Sequence, residues 1–326
     1  MPIITEKNTQ NTLLYTIEQL LKRHIDNNFT LTALKGDAGH RNYFRVTTNN
    51  ESLILMHDNN KESLTSYKNI SNIFIENNVI CPETIITEKT LLLQTDFGDT
   101  HVADKLKSDN IETYKKCIKT LINMQKIDIT KYNLCYYDVN KLQQESELSI
   151  PWVFRQHTQK PLTTIEQKEF KIANEKLCKI ITKIPQTIVH RDFHCRNLML
   201  TKSNEIGIID FQDAIIGPFC YDIGSLLRDY YFEINNENLN MLIAYYYEKA
   251  KEQNIFTCSQ EQFTTWFYQC SLQRHLKVLG IFSRLHYRDG KSKFLQHLTT
   301  VIKYIYCCID NLDEFHNIRD IIEKRV

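Results

Sequence analysis

The sequence predicts an α+β fold of two lobes, a small one built on an antiparallel sheet and a larger, mainly helical one. Residues 29–56 alternate short β-type runs with turn residues. Residues 110–312 carry long segments of helical periodicity, interrupted by short strands around 187–209. The lobes are predicted to span residues 1–96 and 97–326, with no Pro-, Gly- or Ser-rich linker between them.

The small lobe is predicted to begin with an amphipathic helix and to continue as a meander of strands. The helix carries apolar residues at helical spacing, namely Leu13, Leu14, Ile17, Leu20, Leu21 and Ile25. Strands follow over 29–35, 43–48 and 52–56, and a short one over 91–93. Between the last two strands, a second helix presents Leu64, Tyr67, Ile70 and Phe74 on one face. The large lobe is predicted to contain helices over 110–127, 163–183, 235–253, 260–285 and 291–312.

Composition narrows the classes of function. The formal net charge is +1, so no overall field favours nucleic acid or an acidic membrane surface, and no apolar run approaches the length of a membrane span. The ten cysteines are scattered, without metal-binding spacing, and are expected to be reduced thiols. No signal-peptide pattern is visible at the N-terminus. We expect a cytoplasmic protein, a monomer, with small-molecule partners.

The residues that carry chemistry lie between Ile188 and Asp222. An apolar strand leads into His190-Arg191-Asp192, and Asn197 follows five residues after Asp192. A second strand over 206–209 then leads into Asp210. If the two strands after Asn197 form a hairpin, Asn197 and Asp210 become neighbours.

This pattern suits phosphoryl transfer. Mg²⁺ prefers hard oxygen ligands, one or two from protein and the rest from phosphates and water, so Asn197 and Asp210 fit as the protein's share. Asp192 is placed to accept the proton of an attacking hydroxyl. His194 and Arg196 are expected to face the transferring phosphate, where charge develops.

The spacing H-x-D-x-x-x-x-N followed by I-D-F is the catalytic-loop and metal-loop pair of the protein-kinase-like superfamily. The chain resembles its aminoglycoside phosphotransferase and choline kinase branch, because it has no APE segment and Asp210 is followed by Phe-Gln-Asp-Ala. Within that branch, the chain is similar to the anomeric amino-sugar kinases of bacterial cell-wall recycling. Three stretches carry this similarity: GDAGHRNYFRV (36–46), HRDFHCRNLM with DFQDAIIGPFCYDIGSLLRD (190–229), and QRHLKVLGIFSRLHYRDGK (273–291).

The resemblance implies a protein-kinase-like two-lobed fold, ATP as donor, Mg²⁺ as cofactor and a sugar 1-phosphate as product. It implies Asp192 as the catalytic base, Asn197 and Asp210 as the metal ligands, and N-acetylmuramate or N-acetylglucosamine as the acceptor. The nucleotide is expected under the 36–45 loop, with its adenine against the connection from Leu93 to Phe97. The predicted nucleotide-binding residues are Gly36, Asp37, Gly39, Arg41, Arg45, Leu93 and Thr95.

The sequence departs from the kinase pattern at the third strand. Most kinases end this strand with a lysine that holds the α- and β-phosphates, and here Met56 stands in its place. Arg41, Arg45 and Lys61 are the candidates to replace it, and the residues alone do not choose among them.

Several candidate substrate residues lie outside the central motif. Arg274 and Lys277 share a helix face, where one of them could pair with the lactyl carboxylate of N-acetylmuramate, or both could form a solvated face. Glu147 and Trp152 could contact a sugar ring, although Trp is also a common core residue. Asp213 could be a metal or sugar ligand or a turn cap. Asp222 is expected to cap the following helix and to brace the catalytic loop.

Two alternatives remain open from the sequence. A kinase of the same class could act on another small alcohol, such as an aminoglycoside or choline. A non-catalytic kinase-like binding module is the second, and only the missing strand lysine supports it.

Overall fold

The computed structural model describes residues 3–25, 28–34, 41–106 and 110–326, with side chains from residue 13 onward. The chain divides into two compact units, residues 1–76 with 80–98 and residues 77–79 with 99–326.

The N-terminal unit contains a five-stranded sheet in the order β1-β2-β3-β5-β4, and every neighbouring pair is antiparallel. Its strands are β1 (Thr30–Leu34), β2 (Asn42–Thr47), β3 (Ser52–His57), β4 (Thr84–Glu88) and β5 (Leu91–Thr95). Its helices are α1 (Ile3–His24) and α2 (Lys61–Glu76). The predicted antiparallel lobe is confirmed, and β4 is the strand that the sequence did not reveal. It lies at the edge of the sheet and alternates half-buried with exposed residues, so its apolar signal is weak.

Apolar periodicity builds the core of this unit. Ile17, Leu20 and Leu21 of α1 pack against a cluster of strand residues. Those strand residues are Val46, Leu53, Leu55, Leu91 and Leu93. On β3, Leu53 and Leu55 are two residues apart and therefore point to the same face of the sheet.

The C-terminal unit is mainly helical, as predicted. Its helices are α3 (Val102–Lys105), α4 (Ile111–Gln125), α5 (Val139–Ser146), α6 (Thr164–Ile181), α7 (Cys220–Leu227), α8 (Asn236–Glu252), α9 (Gln260–Tyr287), α10 (Leu298–Asp310) and α11 (His316–Arg325). A π-helical turn covers Ile150–His157, and 3₁₀ turns cover Ile129–Lys131 and Ser292–His297. No helix in the described ranges is both long enough and apolar enough to cross a bilayer.

Two short antiparallel strand pairs carry the loops between helices α6 and α7. β6 (Gln186–Val189) pairs with β9 (Ile215–Pro218), and β7 (Leu198–Leu200) pairs with β8 (Ile206–Ile208). The sequence predicted the β7–β8 hairpin, which is confirmed, but it did not predict β9.

Helix α9 lies at the centre of this unit. It packs against α5, α6, α7, α10 and the π-helical turn. Its buried positions include Gln273, Arg274, His275 and Lys277, which are polar or charged. A helix so placed would normally bury apolar side chains, so each of these buried polar groups needs a partner that offsets its loss of water.

Candidate active site

Strand β6 leads into a loop that Asp222 of α7 braces from within the core. The carboxylate of Asp222 accepts hydrogen bonds from the backbone N–H groups of His190 at 2.6 Å and Arg191 at 3.0 Å. Arg191 has a φ of 77°, a left-handed conformation that few non-glycine residues adopt without such support. The sequence suggested Asp222 as the N-cap of α7. In the structure Phe219 holds that position, and Asp222 lies in the first turn of the helix. Burial raises the pKa of Asp222 to about 6.

The loop is closed by its own hydrogen bonds. Asn197 donates from Nδ2 to the carbonyl oxygen of Asp192 at 3.0 Å, and its backbone N–H donates to the carbonyl of His194 at 2.9 Å. The backbone N–H of Cys195 donates to a carboxylate oxygen of Asp229 at 3.2 Å. Asp192 and Asn197 are therefore held in fixed relation.

The β7–β8 pair brings the second candidate metal ligand to the same place. The backbone N–H of Ile209 donates to the carbonyl oxygen of Asn197 at 3.0 Å, so Asn197 and Asp210 flank the open end of the hairpin. Asp210 adopts a left-handed conformation with φ of 61°, and its carboxylate accepts a hydrogen bond from Gln212 at 3.0 Å.

Asn197 and Asp210 suit a magnesium ion whose other ligands are supplied by the substrate and by water. Within the described part of the chain, no group of three or more His, Cys, Asp or Glu side chains could hold a metal by itself. One carboxylate and one amide are the protein ligands that Mg²⁺ commonly takes when phosphate oxygens and water complete its shell.

Asp192 carries a half-exposed carboxylate beside a buried cation. The ammonium of Lys277 lies 3.8 Å from Asp192 Oδ1. Desolvation opposes ionisation of Asp192, but Lys277, followed by His194, Arg191 and Arg274, outweighs it and holds the pKa below its usual range. Asp192 is therefore an ionised hydrogen-bond acceptor at neutral pH, as a residue that orients a hydroxyl needs to be.

Glu145 is part of this site, and sequence reasoning missed it. One oxygen of its carboxylate pairs with the guanidinium of Arg191. The other accepts a hydrogen bond from the hydroxyl of Tyr137 and lies 3.6 Å from Lys277. Glu145 thereby holds both the residue before Asp192 and the cation beside it.

A signal for Glu145 was present in the sequence. It lies three residues after Leu142, which is buried in the apolar contact of α5, so the two side chains share a helix face. An acidic residue on the buried face of a helix usually has a charged partner. The prediction instead selected Glu147, which lies at the C-terminal end of α5 and pairs with Lys171 at 3.6 Å.

His194 and Arg196 lie in settings dominated by aromatic rings. The ring of His194 is buried, packs edge-on against Tyr230 and Tyr231, and has a pKa lowered by burial. It is therefore neutral at pH 7 and offers no full positive charge to a phosphate. The guanidinium of Arg196 lies 4.2 Å from the ring centroid of Tyr231.

The predicted nucleotide residues divide into two groups. Gly36, Asp37 and Gly39 lie outside the described residues. Arg41 pairs with Asp58 at 2.9 Å, and Arg45 pairs with Asp96 at 2.7 Å. Each of these two predicted phosphate ligands thus has an acidic partner within the N-terminal unit. Lys61 is exposed at the start of α2.

Strand β5 holds the residues predicted to meet the adenine. The side chain of Leu93 is fully buried in the apolar core, so its contribution here is packing. The backbone N–H of Thr95 donates to the carbonyl of Glu83 at 3.1 Å, and its hydroxyl accepts from the N–H of Glu83 at 3.0 Å. Met56, in place of the usual lysine, is fully buried.

The acceptor candidates differ sharply in burial. Arg274 and Lys277 are 1% and 3% exposed, so they do not form the solvated helix face that the sequence left open. Trp152 is half-buried on the π-helical turn, and Asp213 is exposed, with its carbonyl 3.5 Å from a guanidinium nitrogen of Arg191. The structure thus brings Asp192, Asn197, Asp210 and Lys277 together, and it adds Glu145.

Known proteins are similar to this chain over most of its length. The model of the phosphotransferase enzyme family matches residues 30–253. A relative from Neisseria meningitidis, described as an N-acetylmuramate/N-acetylglucosamine kinase, is 32% identical over 290 residues, 86% of each chain. A protein of the same description from Pseudomonas aeruginosa is 29% identical over 297 residues, covering 90% of this chain and 87% of the relative.

Solved structures agree on the fold. Spectinomycin phosphotransferase aligns with a TM-score of 0.65 at 13% identity, covering 91% of this chain and 98% of that one. Choline kinase from Cryptosporidium parvum aligns with a TM-score of 0.64 at 13% identity, covering 91% and 96%. At this identity the likeness concerns the fold, and it confirms the predicted protein-kinase-like architecture.

Proposed function

The chain belongs to the phosphotransferase enzyme family, and from that premise we propose that it is a kinase that phosphorylates the anomeric hydroxyl of N-acetylmuramate or N-acetylglucosamine. The observation that carries the proposal is the placement of Asp192, Asn197 and Asp210 on one braced loop and the adjoining hairpin end. The amino-sugar acceptor follows from the names of the two relatives that cover most of the chain. The anomeric position follows from the resemblance of residues 36–46, 190–229 and 273–291.

In the proposed reaction Asp192 acts on the acceptor hydroxyl. The hydroxyl oxygen forms a bond to the γ-phosphorus of ATP as its proton passes to the Asp192 carboxylate. The bond from the γ-phosphorus to the bridging oxygen breaks, and ADP leaves with that oxygen. Phosphoryl transfer asks little covalent chemistry of the protein, so positioning and charge neutralisation are its main contributions.

Asn197 and Asp210 would hold Mg²⁺ through their side-chain oxygens. The ion would supply positive charge to the phosphate oxygens. Arg41, Arg45 and Lys61 are proposed to assist on the nucleotide, with residues 1–96 as the nucleotide-binding lobe and 97–326 as the catalytic and acceptor lobe.

We also propose that the enzyme works in the cytoplasm as a monomer. The ten cysteines are all free thiols in the structure, most of them buried, as in proteins that fold in a reducing compartment.

A coupled ADP-release assay tests the proposal. ATP and Mg²⁺ are offered with N-acetylmuramate, N-acetylglucosamine, kanamycin or choline, and the sugar product is checked for loss of its reducing end. We expect turnover with an amino sugar, a blocked reducing end, and a loss of about 10³-fold in the Asp192→Asn variant. Turnover with kanamycin or choline alone would overturn the assignment of a sugar acceptor. No turnover with any of the four compounds would favour a non-catalytic module.

The metal assignment is tested in the same assay. Asp210→Asn is expected to raise the Mg²⁺ concentration needed for half-maximal rate, because a charged ligand becomes neutral. Asp213→Asn, three residues along the same loop, is the matched comparison. A larger shift in Asp213→Asn than in Asp210→Asn would reassign the ligand.

A further inference from the structure

Helix α9 buries a guanidinium that has no hydrogen-bonding partner. Arg274 is 1% exposed, and none of its three side-chain nitrogens makes a hydrogen bond with any residue that the structure describes. An isolated buried cation is costly because water no longer solvates it. A charge retained at that cost needs an explanation.

Arg274 forms no ion pair with any described residue, and its surroundings offset its charge only weakly. Its guanidinium carbon lies 5.8 Å from the centroid of the Tyr230 ring, which gives a cation–π contact at the outer limit of that interaction. Three other arginines with little exposure pair with a carboxylate: Arg41 with Asp58, Arg45 with Asp96 and Arg191 with Glu145. The buried Arg228 instead donates a hydrogen bond to Cys307 Sγ at 3.0 Å. Arg274 has none of these arrangements.

A second cation lies one turn along the same helix face. The Nζ of Lys277 makes no hydrogen bond within the described ranges, although Glu145 and Asp192 lie 3.6 and 3.8 Å away. Residues three apart on a helix are neighbours, so Arg274 and Lys277 present their charges to one region. That region adjoins Asp192, whose ionisation both cations favour. An acceptor whose hydroxyl meets Asp192 therefore comes close to both.

We propose that Arg274, assisted by Lys277, binds a carboxylate of the acceptor and so selects an acidic sugar over its neutral counterpart. This inference rests on the proposed function and goes beyond it, because it names the residue that discriminates between the two sugars. A guanidinium suits a carboxylate, which it can meet with two parallel hydrogen bonds. The transferring phosphate is the other anion that could occupy the same position.

The two proposed sugars form a matched pair for the test. N-acetylmuramate is N-acetylglucosamine with a lactyl ether that ends in a carboxylate. The readout is the ratio of kcat/KM for the acidic sugar to kcat/KM for the neutral one. Any loss common to both sugars, whether from packing or from the transferring phosphate, cancels in this ratio.

Arg274→Met removes the guanidinium but keeps an unbranched apolar stem, and Arg274→Lys keeps the charge without the fork. We expect the ratio to fall about 30-fold in Arg274→Met, as for loss of a charge-assisted pair, and by less in Arg274→Lys. Arg284→Met, the same substitution further along α9, is the matched control and should keep the wild-type ratio. Thermal unfolding establishes that each variant is folded.

An equal loss for both sugars in Arg274→Met would overturn the inference and assign Arg274 to the transferring phosphate or to packing. Failure of the wild-type protein to phosphorylate either sugar would overturn the proposed function instead. The carboxylate site is then judged by calorimetry with N-acetylmuramate and its methyl ester. Tighter binding of the acid by wild type, lost in Arg274→Met, supports it, and equal or absent binding of the two overturns it.

Discussion

The carboxylate of Glu145 pairs with the guanidinium of Arg191, the residue immediately before Asp192. Both side chains are mostly buried, at 16% and 12% exposure. Because Arg191 also adopts a left-handed backbone conformation, its position depends on this pair and on the brace from Asp222. Helix α5 is thereby tied to the loop that carries Asp192.

The first prediction concerns Glu145→Gln. The amide keeps the size of the carboxylate but removes the charge that Arg191 and Lys277 share, so two largely buried cations lose a partner. We expect kcat to fall at least tenfold and the unfolding free energy to fall by about 3 kcal/mol, the lower range for breaking a buried ion pair. Steady-state kinetics and urea denaturation measure the two effects.

Glu147→Gln is the matched comparison, since it makes the same change two residues along. Its carboxylate lies 3.6 Å from Lys171, a half-exposed partner, and such pairs contribute little to stability. A greater loss of kcat in Glu147→Gln than in Glu145→Gln would return the acceptor role to Glu147 and refute the network centred on Glu145.

The contrast between these two glutamates shows how far the sequence could lead. Asp192, Asn197 and Asp210 were predictable because each lies at a fixed distance from a strand end, and a hairpin determines which of them meet. Glu145 on α5 reaches Arg191, on the loop after β6, across 46 positions, and tertiary packing alone brings the two together. The local spacing of apolar residues cannot predict a contact between positions so far apart in the sequence.

The burial of Arg274 and Lys277 could not be predicted from the sequence either. Charged residues at helical spacing are usually solvated, and the sequence around them reads as one polar and one apolar face. Helix α9 is covered on several sides by α5, α6, α7 and α10, so its polar face is buried as well. Strand β4 was missed for a simpler reason, since an edge strand has a weak apolar pattern.

The second prediction concerns the pH dependence of activity. The pKa of Asp192 is held below its usual range, with Lys277 as the main cation responsible. A group with a lowered pKa stays ionised as pH falls, so the acid limb of kcat/KM should lie below the value for an ordinary aspartate. Lys277→Met should raise the pKa of Asp192 and move that limb to higher pH.

The measurement is a kcat/KM profile from pH 4.5 to 8 for both proteins, in which the wild type should stay level at the acid end and Lys277→Met should lose activity as pH falls. Lys171→Met removes a cation of α6 that pairs with Glu147 and should keep the wild-type profile. An unshifted limb in Lys277→Met would show that Lys277 does not set the ionisation of the base.

The third prediction concerns stability and Asp222. Burial raises its pKa from 3.8 to about 6 in the folded protein. Between these values the folded state holds a proton that the unfolded state has released, so the unfolding free energy falls as pH rises through this window. The full effect is about 3 kcal/mol, from a shift of roughly two pKa units.

Asp222→Asn removes this titration, but its single carbonyl oxygen can accept from one of the two loop N–H groups, a loss of stability that does not vary with pH. Urea denaturation of both proteins from pH 4 to 7 should show wild type losing stability relative to the variant as pH rises. A difference that stays constant over this range would contradict the raised pKa.

The last prediction concerns the packing of α9 against the segment that follows α5. A Cβ placed on Gly280 would lie 2.6 Å from the carbonyl carbon of Leu148 and 2.6 Å from the backbone nitrogen of Ser149. Backbone cannot rotate away, so Gly280→Ala must separate α9 from the turn that joins Glu145 to Trp152. We expect about 1 to 3 kcal/mol of destabilisation, the usual cost of overpacking.

Gly224→Ala is the control, because its Cβ would meet the side-chain oxygen of Ser271 at 2.6 Å, with other Ser271 atoms at 3.7 Å or more. A hydroxyl can turn aside, and alanine favours the helix by about 0.5 to 1 kcal/mol, so this variant should lose much less stability. Gly280→Ala should also lower kcat, since Glu145 and Lys277 lie on the two elements forced apart. Equal stability of the two variants would mean that the approach of α9 to residues 148–149 is looser than 2.6 Å implies.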